Sequence, residues 1–435
     1  MNTLKQTLNQ FVGEALSQVS GLTDSDPNVI TASKPEFGDY QSNGVMSIAK
    51  KVGTNPRQLA SDVVEKMTAD ANPLIEKFEV AGPGFINIHL SDLALMQRAA
   101  EIQSDLQKLI PKTEKVNKIV VDYSSPNLAK EMHVGHLRGT IIGDCLARVL
   151  ERQGHEIIRQ NHVGDWGTQF GMLISYMREL SAAQGDLPTQ LADLESFYRA
   201  AKERFDADPD FANTARASVV KLQSGDEDHL VAWQQFIDES LKHCQAIYDK
   251  LNVTLSRKDL KAESFYNKDL KGVVEKLEAA SLLSVSDGAR CVFLPEFTGK
   301  DGEPLPVIIQ KTDGGYLYAT TDLAAVQYRS FDLKAERSLY VVDARQSLHF
   351  QQVFAVAGEA GFTSENISLE HIAYGTMMGS DGRPFRTRSG DTIKLVDLLD
   401  EAIRRAHDLV SEKNPGLDEE AYTEIAAKVG IASVK

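Results

Sequence analysis

The chain has 435 residues and a mass of 47.9 kDa, so at roughly 150 residues per domain it should fold as two or three. Apolar residues make up 42% and charged residues 25%; this is the balance of a soluble globular protein and excludes a disordered or fibrous chain. With 47 basic against 62 acidic side chains the net charge is −15, which argues against coating nucleic acid through bulk charge but leaves local basic patches open.

The first twenty residues carry polar side chains throughout, so they lack the apolar stretch of a signal peptide. Their apolar members, Leu4, Leu8, Phe11, Val12, Leu16 and Val19, follow helical spacing instead. Two further helical stretches are predicted near 41–51 and 56–69. A strand pair follows, Phe78-Glu79-Val80 and Phe85–Leu90, joined by the turn residues Gly82-Pro83-Gly84. A helix over about 91–109 then runs into a polar linker at 111–115.

Lys118–Asp122 is a short apolar run that reads as a buried parallel strand. Ser124-Ser125-Pro126-Asn127 is a loop, and a helix is predicted from about His136 to Gln153, where Gly154 ends it. His155–Gln160 is the next strand. Strand, loop, helix and strand make a βαβ unit, the opening of a doubly wound fold. Residues 176–282 read as a helical, acidic insertion or connection. Strands return at 289–294, 304–310 and 338–343, with helices at 349–360, 396–412 and 417–435. The expected organisation is a smaller α+β domain over 1–112, a doubly wound, Rossmann-like parallel α/β domain with helical insertions over 113–395, and a helical segment over 396–435. The last residues carry no helix stop signal, so a chain cut within a helical region is expected. The three cysteines, Cys145, Cys244 and Cys291, lie far apart with no CxxC pair. That excludes zinc ribbons and disulfide scaffolds and suits the reducing cytoplasm. No run is long and apolar enough to cross a membrane.

The stretch from Ser125 to His136, SPNLAKEMHVGH, lies between the first strand of the βαβ unit and its helix. A helix N-terminus favours phosphate. His133 and His136, three apart, can share a face, and Gly135 between them lets a flat purine approach the backbone. With Lys130 they could stabilise charge on a transferring phosphoryl group. The pair reads as hydrogen-bond donors rather than metal ligands, since no third ligand is evident.

HVGH resembles the HIGH sequence of class I aminoacyl-tRNA synthetases. The longer run through NHVGDWGTQFG is similar to the arginyl-tRNA synthetases among them. The likeness continues in AESFYN (262–267), GYLYATTDLAA (315–325), YVVDARQSLH (340–349) and GTMMGSDGRPFRTRSGDTIKL (375–395). It reaches the first domain through PEFGDYQSN (35–43) and AGPGFINI (81–88).

The resemblance implies an arginine–tRNA ligase that uses ATP and Mg²⁺ to form arginyl-adenylate, then passes arginine to the 3′-terminal ribose of tRNA(Arg). It implies Lys130, His133 and His136 as catalytic residues. Pro126, Gly135, Met378, Arg386 and Ser389 would join the two histidines around ATP, with Arg388 an alternative phosphate contact. No KMSKS sequence is present, and Lys130 would take over the part of its second lysine. Glu263 and Asp322 match the positions that hold the guanidinium, and Tyr318 lines that pocket. Asn127 and Gln346 match those that orient the α-amino and carboxylate groups. A packed turn around Trp166 is as good a reading of His162 and Asp165 as a site role. No metal-binding side chains are expected. The first domain would contact the tRNA elbow, and an all-helical anticodon domain would follow the last residue. A monomer in the cytoplasm is expected. Two alternatives are another nucleotidylyltransferase of the same superfamily and a non-catalytic arginine- or RNA-binding module.

Overall fold

The computed structural model describes residues 3–23, 25–105, 110, 112–184, 194–299, 302–379, 382 and 393–435. The chain divides into two compact units. One is Met1–Glu114 with Arg152–Gly154; the other is Lys115–Glu151 with His155–Lys435.

The first unit opens with α1 (Leu4–Ser20), started by a reciprocal Thr3–Gln6 capping box and stopped by Gly21 in the left-handed region. Then come β1 (Val29–Thr31), β2 (Tyr40–Ser42), α2 (Val45–Val52), α3 (Pro56–Ala69), β3 (Ile75–Ala81), β4 (Phe85–Leu90) and α4 (Asp92–Ser104). The antiparallel sheet has the order β1-β2-β4-β3. Its inner face packs Ile86 and Ile88 against Leu8, Val12, Leu16, Leu59 and Val63 from the helices. Residues 41 and 42, expected in a helix, belong to β2. Tyr40 pairs with Ile88 and Ser42 with Ile86, and the Ser42 hydroxyl donates to the Pro27 carbonyl at 2.6 Å. The helix therefore begins only after Gly44.

The second unit is built on a four-stranded parallel sheet: β5 (Lys118–Asp122), β6 (Glu156–Gln160), β10 (Arg337–Tyr340) and β11 (Ser368–His371), in the order β11-β10-β5-β6. Helix α5 (Leu137–Arg152) crosses from β5 to β6. The chain then leaves through α6 (Thr168–Gln184), α7 (Leu194–Ala207), α8 (Pro209–Gln223), α9 (Glu227–Lys250) and α10 (Leu270–Ala279). An antiparallel sheet of β7 (Leu283–Ser286), β8 (Ala289–Thr298) and β9 (Pro304–Gln310) precedes α11 (Tyr318–Gln327). Only then does β10 pair on the other side of β5. Strand order thus reverses between β5 and β10, and ligands of such sheets bind at the carboxyl ends of the strands flanking that reversal. After β10 come α12 (Ser347–Glu359), β11, α13 (Leu395–Lys413) and α14 (Glu419–Val434).

Strand alternation sends Ile119, Val121 and Leu339 into one core with the large helices, and Tyr340 into a second core with α10, α11 and α12. Gly143 lets α5 lie close to the sheet, because a methyl group there would overlap the Tyr123 side chain. Beneath the switch point lies a buried ion pair. Arg329, in a single π-helical turn after α11, is 1% exposed. It donates from Nη2 to Asp122 at 2.6 Å and from Nε to Gln160 at 2.8 Å. The residue thereby ties the end of α11 to the carboxyl ends of β5 and β6.

Candidate active site

The loop after β5 is backbone-strained. Ser124 and Ser125 have φ of 72° and 46°, a region that non-glycine residues avoid. Pro126 and Asn127 then run beside the loop after β6: Gly164 N–H donates to the Pro126 carbonyl at 3.1 Å, and Leu128 N–H to the Gly164 carbonyl at 2.9 Å. The Asn127 side-chain oxygen accepts from Ala129 N–H at 3.0 Å, so its amide NH₂ is the group left to face a ligand.

His133 to His136 form one 3₁₀ turn leading into α5. His133 Nδ1 accepts from Gly135 N–H and His136 Nδ1 accepts from His133 N–H, both at 3.1 Å. A backbone N–H can only donate, so neither Nδ1 carries a proton, and a neutral ring must carry it on Nε2. Burial holds the His136 imidazole far below its ordinary range, at about 3, with His133 adding to the effect. Burial, then Lys130 and Arg345, lower His133. The rings lie 4.0 Å apart between centroids. The turn therefore presents two neutral N–H donors rather than two cations. The space at Gly135 is taken by the His133 ring, which a Cβ would meet at 2.8 Å. A side chain at this position would therefore displace that ring.

The Lys130 ammonium is exposed and sits 4.3 Å from the centroid of Tyr198 on α7. The segment beyond the second loop returns to the histidine turn: Val134 N–H donates to the Ile393 carbonyl at 3.1 Å, Leu395 N–H donates to the Met132 carbonyl at 2.9 Å, and Lys394 pairs with Glu131 at 3.1 Å. Met378, at the loop's near end, is 54% exposed. Arg386, Arg388 and Ser389 lie outside the described residues.

A second cluster is acidic. Glu263 stands on a 3₁₀ turn whose N–H bonds to the Val163 carbonyl at 3.1 Å. Asp165, 2% exposed, fixes the same turn by accepting from Ser264 N–H at 2.9 Å and from its hydroxyl at 2.5 Å. Asp322 rises from α11. It accepts from His349 Nε2 of α12 at 2.7 Å, and His162 Nε2 lies 4.0 Å from its other oxygen. Burial, then Asp165 and Asp322, push Glu263 up to about 8. Tyr318 opens α11 within electrostatic reach of Glu263, largely exposed. Gln346, also exposed, ends the 3₁₀ turn after β10.

The structure thus gathers Glu263, Tyr318 and Asp322 in one group, and Lys130, His133 and His136 in another. Asn127 and Glu263 are tied to the same loop through Gly164 and Val163. Sequence reasoning missed His349, because its partner lies 27 residues away on another helix. His162 and Asp165 received only an even reading against a packed turn. Among the described residues, no three His, Cys, Asp or Glu side chains converge to hold a metal ion.

The family model described as tRNA synthetases class I (R), catalytic domain, matches residues 99–435. That of the arginyl tRNA synthetase N terminal domain matches residues 2–90. The chain is 54% identical over 434 residues to an arginine–tRNA ligase of Hahella chejuensis, covering 99% of this chain and 75% of the relative. Against that of Shewanella amazonensis it is 58% identical over 434 residues, covering 99% and 74%. Among solved structures, arginyl-tRNA synthetase from Plasmodium falciparum superposes with a TM-score of 0.74 at 28% identity, covering all of this chain and 74% of that one. That of Thermus thermophilus reaches the same TM-score of 0.74 at 22% identity, a likeness of fold.

Proposed function

The chain belongs to the class I arginyl-tRNA synthetases, and we propose that the histidine turn and the acidic cluster are its ATP and arginine subsites. The single observation that carries this reading is the pairing of Glu263 and Asp322, two half-buried carboxylates to which no lysine or arginine among the described residues is bonded, beside a strand-end turn of neutral N–H donors. A guanidinium supplies the missing charge and the planar donors. Tyr318 flanks it at the mouth. At the other end the Asn127 NH₂, a donor, would face the substrate carboxylate, and Gln346 would take the α-amino group.

The carboxylate oxygen attacks the α-phosphorus of ATP. A new O–P bond forms as the bond to pyrophosphate breaks. His133 and His136 donate from Nε2 to oxygens that gain charge in that step. Being neutral, they lose no proton and need no counter-ion. Lys130, free to leave Tyr198, follows the departing phosphates as a full positive charge. Pro126, Gly135 and Met378 would line the nucleotide, and Arg386 and Ser389, outside the described residues, would join them as the family resemblance implies. A ribose hydroxyl of the tRNA then attacks the arginyl carbonyl and AMP leaves. The described side chains form no cage for Mg²⁺, so the ion would arrive on the ATP phosphates, its usual setting. Residues 1–112 would hold the tRNA elbow and residues 113–395 the chemistry, in a cytoplasmic monomer.

Two experiments test the pocket. Asp322→Asn should weaken arginine binding by about 1.5–3 kcal/mol, the range for a hydrogen bond to a charged group, in a calorimetric titration with lysine and citrulline as controls. Unchanged affinity would remove Asp322 from the pocket. Glu263 gives a pH signature. In the empty pocket it is protonated below about 8, and a bound guanidinium favours its ionised form, so binding releases a proton. Affinity should therefore rise with pH up to about 8 and level off above it. At neutral pH the measured heat should vary with the buffer's ionisation enthalpy, and Glu263→Gln should abolish that variation. A buffer-independent heat in the parent protein sinks the assignment.

A further inference from the structure

Helix α9 lies in the stretch that reads from the sequence as a mere connection, yet one face of it is pressed onto the substrate loop. Ser240 and Tyr248, eight residues and two turns apart, are 2% and 3% exposed. The Ser240 hydroxyl donates to the Leu128 carbonyl at 2.5 Å. The Tyr248 hydroxyl accepts from the Asn161 NH₂ at 3.0 Å and lies 2.8 Å from the Ser124 hydroxyl. Asn161, itself 4% exposed, accepts from Ser125 N–H at 3.0 Å with its other side-chain atom.

Tyr248 accepts from Asn161, so its own hydrogen is free for Ser124. Thr140, on α5, lies 2.8 Å from both the Ser124 hydroxyl and the His136 carbonyl. The Thr140 hydroxyl donates towards both, its one hydrogen shared between the Ser124 oxygen and the His136 carbonyl. Hydrogen bonds thus link Asn161, Tyr248, Ser124, Thr140 and the His136 carbonyl in one continuous chain. Each member polarises the next. The chain passes through the two consecutive residues with positive φ, Ser124 and Ser125, immediately before Pro126 and Asn127. Strained backbone persists only where its surroundings over-determine it.

We propose that Tyr248 is a positioning residue for arginine activation: from α9 it holds Ser124 and Ser125 in their strained conformation, and so sets where Asn127 meets the substrate. Ser240 secures the far end of the same segment. Tyr248 touches no substrate. The proposal rests on the reading of Asn127 as an arginine ligand.

The test uses Tyr248→Phe, which removes only the hydroxyl, together with Ser124→Ala and Ser124→Gly. The last two lose the same hydroxyl, but glycine adopts positive φ freely and alanine does not. Arginine is titrated calorimetrically with tRNA(Arg) and a non-hydrolysable ATP analogue present, and each variant is also melted. Tyr248→Phe and Ser124→Ala should each weaken arginine binding roughly tenfold, the scale of one left-handed residue losing its support. Ser124→Gly should stay near the parent value, should melt above Ser124→Ala, and should restore affinity when combined with Tyr248→Phe. A merely structural hydroxyl would make alanine and glycine alike. Equal affinities for the two, or parental affinity in Tyr248→Phe, overturn the proposal while leaving the pocket reading intact. Absence of arginine binding in the parent protein overturns the pocket reading, and this proposal with it.

Discussion

Replacing His136 with asparagine should slow arginine-dependent pyrophosphate exchange by about 10²–10³-fold, the usual effect of removing one preorganised donor from a developing oxyanion. Asparagine is the informative substitution. Its side-chain oxygen can take the place of Nδ1 and still accept from His133 N–H, the bond that closes the turn at 3.1 Å. What it lacks is a donor where Nε2–H stands. Arginine affinity should therefore stay within about twofold, since the guanidinium and carboxylate contacts are untouched. Exchange kinetics beside calorimetry separate the two. A variant that loses arginine affinity but keeps its exchange rate at saturation would move His136 out of the nucleotide subsite. The neutral state of the ring makes a further point: with its imidazole held near 3, protonation of His136 does not shape the activity profile at neutral pH.

Arg329→Met should cost about 3–5 kcal/mol of folding stability, because it leaves Asp122 as a buried charge without its counter-ion. The pair is closed at 2.6 Å, with Arg329 also lying 4.6 Å from the Tyr340 ring centroid. Denaturant unfolding gives the number. The double variant Asp122→Asn with Arg329→Met should recover much of the loss, since no isolated charge then remains. A single variant as stable as the parent would mean that Asp122 finds water. The effect should also reach the site, because Asp122 accepts from the Ser125 hydroxyl at 3.1 Å and Arg329 closes the helix that carries Asp322.

What the sequence revealed and hid follows from how each feature is encoded. Strand β5 is legible because a strand buried on both faces becomes a continuous apolar run, whereas β6, an edge strand only half buried, shows through its Ile157-Ile158 pair after Gly154. Strand β11, Ser-Leu-Glu-His, has no such run and is recognisable only by its pairing with β10. Strands β1 and β2 are three residues each and owe their form to pairing, β1 with β2 and β2 with β4, rather than to any pattern of their own. The histidine turn is legible as a motif between a strand and a helix, but the tautomers are not, since they depend on which backbone N–H each ring receives. Glu263 and Asp322 come from the family blocks in which they stand. The His349 that orients Asp322 belongs to a contact between α11 and α12, and no spacing within either helix announces it. Asp165 similarly acts through Ser264, 99 residues further along.

The position of α9 bears on how small this catalyst could be made. A designer trimming the chain would see the parallel sheet and its flanking helices as the engine, and the helices between β6 and the turn at Glu263 as disposable length. Splicing them out would delete the hydroxyls of Ser240 and Tyr248 and leave the loop carrying Asn127 free to relax into an ordinary conformation. The excised enzyme would retain every residue expected to touch a substrate and lose the wall against which one of them is braced. The minimal core is therefore the sheet and its flanking helices together with α9, and the indivisible part of the protein extends beyond its recognisable motifs.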